Sequence, residues 1–302
     1  MASNDCGNGA LNTGQPSCVP KKSVDAGIIF VNYLNDAGTV NFIPSGTTVD
    51  STFVSGLINN ADKSVRWYPA MNIKSVVGER ADNVTQDIDG IAYNVKRGVR
   101  AYDGSFYGNF ANPKFVKALE SRASIQDAYF KVDINGNLTG IEDESGNVAP
   151  IKIQSSTLQV KYKEPTVTEL QMVNLKFSVD ESQNDSDLVT LDSQTVTTDL
   201  LSIAGLIDVT GVSTSPATTG FVLTTKLIYG NPFALPAFSG AVLADFVLYN
   251  TTTSSSITAT SVTEGADGVY TFVMPAQTSA DEVTVDLSKD GFEMSTVTVT
   301  IP

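Results

Sequence analysis

Residues 282–301 read EVTVDLSKDGFEMSTVTVTI, and this stretch decides the fold class. Apolar and polar residues alternate strictly over 283–287 and again over 296–301, as they do in half-buried β-strands. Asp290-Gly291 supplies turn chemistry between the two runs. The stretch therefore predicts a strand pair of a β-sandwich. Its apolar face consists of Val283, Val285, Leu287, Val297, Val299 and Ile301.

The same pattern extends upstream. Asp267-Gly268 precedes the alternating run 269–273, and 29 of the last 102 residues are Ser or Thr, with Lys226 and Lys289 as the only basic residues there. This change of composition places a domain boundary near residue 198. Because turn signals separate short alternating runs, residues 199–302 are predicted to form an immunoglobulin-like β-sandwich of about seven strands.

The N-terminal two thirds also favours β-structure. Residues 1–22 are rich in Gly, Asn, Ser and Pro and predict an extended arm. Residues 23–198 predict a β-sandwich or barrel-type assembly domain with one or two short helices. Asp50 is a candidate cap for a first helix, and Asn112 followed by Pro113 predicts a second helix that ends near Arg122.

The charge balance excludes several function classes. The chain has 19 Lys and Arg against 33 Asp and Glu, a net charge of −14, and no His. A strongly acidic chain repels nucleic-acid phosphates, and without His it lacks the commonest general base and metal ligand. We therefore predict neither an enzyme nor a cofactor. The longest apolar runs, 27–31 and 241–248, are too short to cross a bilayer, so no membrane insertion is expected.

A calcium loop is the strongest metal candidate. Asp133, Asn135, Asn137 and Glu144 occupy positions 1, 3, 5 and 12 of that pattern. Position six, where the loop requires Gly, is Leu138, and the flanking residues predict strands instead of helices. A plain hairpin with a type I′ turn at Asn135-Gly136 is therefore the preferred interpretation.

Two groups of residues are candidates for an assembly interface. Cys6 and Cys18 lie on the predicted arm, too far apart for a redox motif and too few for a zinc site. Lys96, Arg97 and Arg100 form the only basic cluster inside an apolar segment, where they either pair with acids of a neighbouring subunit or line an exposed strand face.

Two further patterns are weighed against simpler interpretations. Acidic residues are candidates for a hydrolytic carboxylate pair, although such runs are usually solvated turns. Aromatic residues over 68–110 are candidates for a carbohydrate platform, although strand aromatics are usually core. The acids are Asp87, Asp89, Glu142, Asp143 and Glu144, and the aromatics are Tyr68, Tyr93, Tyr102, Phe106, Tyr107 and Phe110.

This order of arm, mixed β domain and Ser/Thr-rich module resembles virion proteins of tailed bacteriophages, especially major tail (tail tube) proteins with an appended surface domain. The segments that carry the resemblance are 91–100, 112–122, 132–138 and 245–250.

The resemblance implies a virion protein, assembled in the host cytoplasm, whose copies form hexameric rings stacked as a hollow tube. Double-stranded DNA would pass through it without tight binding, because an acidic lumen repels phosphates. Other virion proteins would be its partners, and residues 199–302 would contact host surface glycans. The alternatives are an auxiliary capsid or head-decoration protein and a surface carbohydrate-binding adhesin.

Overall fold

The computed structural model describes residues 22–108, 112–122, 127–229 and 233–302. It is mainly β, with 46% of residues in strands and 10% in helices, which confirms the predicted class. The chain divides into a first unit that ends at Gly205 and a second unit, Leu206–Pro302. In the first unit the strands are β1 (Asp25–Asn32), β2 (Tyr68–Met71), β3 (Ile73–Val77), β4 (Val84–Ile88), β5 (Ile91–Lys96), β6 (Ala101–Phe106), β7 (Asp127–Asp133), β8 (Leu138–Glu142), β9 (Val148–Ala149), β10 (Ile151–Lys152), β11 (Gln159–Lys163), β12 (Met172–Ser178) and β13 (Leu188–Leu191).

Two sheets form the body of the first unit. The larger has the order β13-β8-β7-β1-β2, with β9 beside β8 and β10 beside β7, and the smaller has the order β11-β12-β6-β3. The central strand β1 pairs on both edges, with β2 and β7, and its first seven residues are buried. Strands β4 and β5 form a separate two-stranded hairpin.

A shared apolar core joins these two sheets. Phe30 and Tyr129 are paired neighbours on β1 and β7, and Tyr102 and Phe177 are paired neighbours on β6 and β12. Tyr129 packs edge-on against Phe177, with ring centroids 4.8 Å apart, so side chains of the two sheets interdigitate. The first unit is therefore a β-sandwich.

Two short α-helices flank the sandwich, as predicted. Helix α1 (Ser51–Ile58) begins where the Asp50 side chain accepts a hydrogen bond from the Phe53 N–H at 2.8 Å, and it buries Val54 and Ile58. Helix α2 (Pro113–Arg122) begins where the Asn112 side chain accepts from the Phe115 N–H at 2.9 Å. Both caps satisfy an N–H that has no partner inside the helix.

The second unit is a two-sheet sandwich. The strand order is β18-β19-β15-β14-β21 in one sheet and β17-β16-β20-β22 in the other. Phe246 of the second sheet packs against Phe272 of the first, with ring centroids 5.0 Å apart. Its strands are β14 (Ile207–Ala217), β15 (Gly220–Leu227), β16 (Phe246–Asn250), β17 (Ser255–Ile257), β18 (Ser261–Glu264), β19 (Val269–Val273), β20 (Glu282–Leu287), β21 (Phe292–Met294) and β22 (Val297–Thr300).

This strand order is immunoglobulin-like. If β14 to β20 are assigned A, B, C, C′, D, E and F, and β22 is assigned G, the sheets read D-E-B-A and C′-C-F-G. The predicted strand pair is present, because Val283 faces Val299 and Val285 faces Val297. Between them the chain crosses to the other sheet as β21, which runs parallel to β14. The unit therefore has nine strands in its described part, two more than predicted.

The boundary between the two units follows Gly205, seven residues beyond the predicted boundary at 198/199. Leu200 is fully buried in a 3₁₀ turn, Leu200–Ser202, capped by Asp199. A Cβ on Gly205 would lie 3.7 Å from Pro69 of β2. Residues 199–205 therefore belong to the first unit.

Candidate assembly surface

A two-residue turn connects strands β4 and β5, which form a hairpin. Asp89 (φ 53°) and Gly90 (φ 79°) both adopt positive φ, as a type I′ turn requires. The turn places Ile88 opposite Ile91, and the Gly90 N–H donates to the Asp87 carboxylate at 2.9 Å. The local sequence therefore specifies a tight hairpin with two acids at its tip.

One face of this hairpin is apolar and exposed. Directly paired residues share a face, so alternation from the Ile88–Ile91 pair places Tyr93 and its partner Gln86 on the same face. Thr85, Asp87 and Asn94 occupy the other face, and a register shift beyond Thr85 pairs Val84 with Lys96. Every residue of both strands is exposed. A two-stranded ribbon is marginally stable by itself, so an uncovered apolar face here favours association. The exposed apolar residues are Val84 (57%), Ile88 (50%), Ile91 (57%), Tyr93 (51%) and Val95 (62%).

The hairpin continues from the sandwich through a narrow stem, residues 79–83 and 97–100. The Ala81 N–H donates to Val99 O at 3.0 Å, and the Asn83 side chain accepts from the Gly98 N–H at 3.0 Å. A Cβ on Gly98 would overlap the Ala81 carbonyl oxygen, so this close approach requires glycine.

Three arginines of the stem converge on one carboxylate. Arg80 donates to both oxygens of Asp185 at 2.5 and 3.0 Å, and Arg100 donates to one of them at 2.9 Å. Arg97 lies 3.7 Å from the same carboxylate and donates to Asn184 Oδ1 at 2.6 Å. Hydrogen bonding from Arg80 lowers the pKa of Asp185, which stays ionised. The loop between β12 and β13 therefore clamps the stem.

A buried ionic group lies beneath the stem. Lys131 of β7 is 2% exposed, and its Nζ lies 3.5 Å from Asp25 Oδ2 and over the Tyr102 ring at 5.2 Å. Lys22 Nζ lies 2.8 Å from the other oxygen of Asp25. Burial lowers the pKa of Lys131 to about 7, although Asp25 opposes this shift. A Cβ on Gly78, next to the stem, would be 3.3 Å from Lys131 Nζ.

The structure gives the predicted basic cluster intramolecular partners. Lys96 Nζ lies 2.8 Å from Glu181, and Arg97 and Arg100 contact the loop of Asp185. Lys96 and Arg97 remain 55% and 47% exposed, so an intermolecular role for them stays a prediction. Cys6, Cys18 and nearly all of the predicted arm lie outside the described residues.

The calcium-pattern residues are divided between two turns. Asp133 Oδ1 accepts from the N–H groups of Asn135 and Asn137, and Asn137 Nδ2 donates to Oδ2 at 2.9 Å. Glu144 lies exposed in the next turn, where Asp143 is bonded in the same way to Ser145 and Asn147. Both oxygens of Asp133 thus hold a hairpin turn. In the described residues no group of three or more acids, Cys or His could hold a metal ion.

The β7–β8 hairpin is present, but the predicted type I′ turn is wrong. Gly136 has φ 80°, whereas Asn135 is not among the residues with positive φ. The Asp133 side chain binds the turn N–H groups and stabilises a three-residue loop with a single left-handed glycine, which also suits a hairpin.

The remaining aromatic candidates within the described residues have different environments. Tyr102 and Phe106 are core residues, and Tyr68 lies beneath the Arg122 guanidinium at 4.5 Å. Tyr93 is on the exposed hairpin, and Phe110 lies outside the described residues. Hydrogen bonds from Asn147 lower the pKa of Asp143, which disfavours a general-acid role.

The sequence interpretation missed the hairpin, although it carries a strong local signal. Asp89-Gly90 between alternating runs predicts a two-residue hairpin.

In the described part of the chain, neither α-helix has the length and hydrophobicity of a membrane-spanning segment. Comparison of the chain with protein-family models and with curated proteins finds no match.

Proposed function

We propose that this protein is a structural virion subunit that assembles with copies of itself, in stacked rings of a phage tail tube that conducts DNA. The exposed apolar face of the β4–β5 hairpin carries the proposal. Three large apolar side chains, Ile88, Ile91 and Tyr93, lie on one face of the ribbon, each at least half exposed, and two further valines are exposed near its base. Burial of such a face against another copy is favourable, since each apolar side chain removed from water contributes about 1 kcal/mol or more.

One edge strand of the main sheets contrasts with this hairpin. The edge strand β11 carries Lys161 and Lys163, and charged residues of this kind discourage pairing between edges. Strand β4 has no Lys or Arg, and β5 has only Lys96 at its end. Most of the hairpin therefore lacks the lysines that protect the β11 edge from pairing.

The net charge of −14 suits a conduit for DNA. An acidic wall repels phosphates and keeps transient contacts weak, which allows DNA to pass. The phage assignment itself depends on the resemblance described above, and the second unit is placed on the outside of the tube by the same resemblance.

The proposal is tested by comparing the two faces of the hairpin. Full-length protein is examined by light scattering and negative-stain electron microscopy over increasing concentration. Wild type should form rings or tubes, whereas Ile88→Thr/Ile91→Thr/Tyr93→Thr, which places a β-branched residue at each of these strand positions, should remain monomeric. Thr85→Ala/Asn94→Ala alters the opposite face and should assemble like wild type.

Two results would contradict the proposal. A wild-type protein that stays monomeric at every concentration would exclude self-assembly by this chain. Assembly of the apolar-face variant at wild-type concentrations would exclude the hairpin. Binding of monomers to preformed capsids would instead support a decoration protein.

A further inference from the structure

The buried pair Lys131 and Asp25 differs from the other lysine–carboxylate pairs of the described chain. The side chain of Lys131 is 2% exposed and that of Asp25 is 6% exposed, and Nζ lies 3.5 Å from Oδ2. In the other such pairs among the described residues, the lysine side chain is at least 27% exposed. Water solvates those pairs, whereas two charges inside a sandwich carry a desolvation cost. A reaction that converts this pair into a neutral group removes that cost.

The two side chains are held next to each other by neighbouring strands. Asp25 begins β1, and Lys131 lies on β7, where it pairs with Ile28 of β1. The ring of Tyr102 lies 5.2 Å from Nζ on the side of the smaller sheet. Groups fixed at such a separation react as if they were present at very high concentration, and a site closed to water favours condensation over hydrolysis.

The site also supplies a nucleophile and a proton donor. Burial lowers the pKa of Lys131 to about 7, so the amine is neutral and nucleophilic above this pH. The charged groups that act on it are Asp25, Lys22 and Arg100. Lys22 Nζ lies 2.8 Å from Asp25 Oδ1, and its side chain is 32% exposed, so it can exchange protons with solvent.

We propose that Lys131 and Asp25 condense to an amide bond that links β7 to β1, with release of one water molecule. The Lys131 nitrogen attacks Cγ of Asp25 and forms the C–N bond. The bond between Cγ and Oδ1 breaks, and Oδ1 leaves as water with one proton from the Lys131 amine and one from the Lys22 ammonium. Lys22 then regains a proton from solvent. The step consumes no other reactant, and the inference is independent of the proposed self-assembly.

The bond has two consequences for stability. A covalent link between distant parts of the chain restricts the unfolded state, as a disulfide does, so the linked chain should unfold at a higher urea concentration. The linked chain also no longer titrates at Lys131. The pH dependence of stability that this lysine confers therefore belongs to the chain in which the pair is free.

The test follows the mass of the purified full-length chain during incubation at pH 8. Wild type should lose the mass of one water molecule, and tandem mass spectrometry after proteolysis should find a branched peptide that joins Lys131 to Asp25. Lys131→Arg keeps the charge without a nucleophilic amine, and Asp25→Ala removes the carboxyl group, so neither should form this peptide. Lys22→Gln should form it about a hundredfold more slowly, as expected on loss of a positioned proton donor.

Controls separate this bond from other losses of water and from misfolding. An aspartate that precedes glycine, such as Asp89, loses water by cyclisation, and this loss should persist in Lys131→Arg without a branched peptide. Lys152 and Asp180 lie 3.1 Å apart but are 27% and 16% exposed, and they should remain unlinked. Circular dichroism shows whether each variant folds, and wild type kept unfolded in guanidinium chloride should form no branched peptide.

The outcomes are read from the wild-type chain first. A wild type that keeps its full mass, or that loses water without a branched peptide at Lys131, would overturn the inference even if every variant failed to fold. Formation of the same peptide in the unfolded chain would overturn the role of the folded site. A wild-type rate in Lys22→Gln would overturn the assigned proton donor. Ring and tube formation is measured with the hairpin variants, so the two proposals fail separately.

Discussion

The β4–β5 hairpin and the β20–β22 strand pair have the same kind of sequence and opposite environments. Both alternate apolar and polar residues, and both are antiparallel. Val283 and Val285 are fully buried because the facing sheet of the second unit covers them. Ile88 and Ile91 are at least half exposed. Alternation therefore specifies an amphipathic strand, whereas the covering of its apolar face depends on the rest of the fold or on another molecule.

The largest expected effect tests this difference directly. Phe272→Ala removes a 1%-exposed ring stacked on Phe221 and should lower the free energy of unfolding of the second unit by about 3–5 kcal/mol. Tyr93→Ala on the hairpin should change monomer stability by less than about 0.5 kcal/mol. Hydrogen exchange with mass spectrometry, resolved by peptide, measures both. Equal losses would show that the hairpin face is covered within the monomer.

A second prediction concerns the stem that connects the hairpin to the sandwich. Gly98→Ala places a Cβ against the Ala81 carbonyl oxygen and should destabilise the stem by about 1–3 kcal/mol, seen as faster exchange over 79–101. Gly56→Ala is the matched control, because nothing lies within 4 Å of its Cβ in α1. It should stabilise the protein by about 0.5–1 kcal/mol. Unchanged exchange in Gly98→Ala would contradict the close approach.

A third prediction concerns the pH dependence of the stability of the first unit, which contains the buried Lys131. The pKa of Lys131 is about 7 in the folded protein against an ordinary value of 10.5. Above pH 7 the folded chain releases a proton that the unfolded chain keeps, so stability of the first unit should rise with pH through this window. The rise should be about 2 kcal/mol between pH 7 and 9.

Urea unfolding followed by Trp67 fluorescence measures this slope. Burial raises the pKa of Tyr102 and Tyr129 in the folded chain. Above pH 10 the two tyrosines therefore ionise only in the unfolded chain, which lowers the stability of the folded state. Measurements stay below pH 9.5 for this reason. The other charged groups around Lys131 are Lys22, Asp25 and Arg100. Lys131→Met should remove most of the slope, and a slope that persists in this variant would assign it to other groups.

The smallest expected effect concerns the arginine clamp. Asp185→Asn should destabilise the stem by less than about 1 kcal/mol, because the carboxylate is 39% exposed and solvent screens its ion pairs. Exchange over 79–101 should rise slightly. Asp187→Asn, in the same 3₁₀ turn, should leave it unchanged, since Asp187 accepts from Ser186 and Asn184. A loss of several kcal/mol in Asp185→Asn would mean that the hairpin depends on this clamp to fold.

The candidate site was predictable in part. The basic residues Lys96, Arg97 and Arg100 were visible as a cluster, but their partners Glu181 and Asp185 are more than 80 positions away and follow from folding. The Asp89-Gly90 turn was a local signal that pointed to the hairpin without requiring the structure. The calcium pattern failed because Asp133 and Glu144 belong to consecutive turns whose backbone N–H groups use the carboxylates of Asp133 and Asp143.

The sequence by itself determined the mainly β class, both helix starts, the paired strands near the C-terminus and the negative net charge, because alternation, capping and residue charge are properties of the local sequence. Only the tertiary structure decided that β21 crosses between sheets, that residues 199–205 belong to the first unit, and that Lys131 is buried. It also decided that the apolar face of 84–96 has no cover in the described chain. These features depend on contacts between distant residues, which a pattern of period two cannot specify.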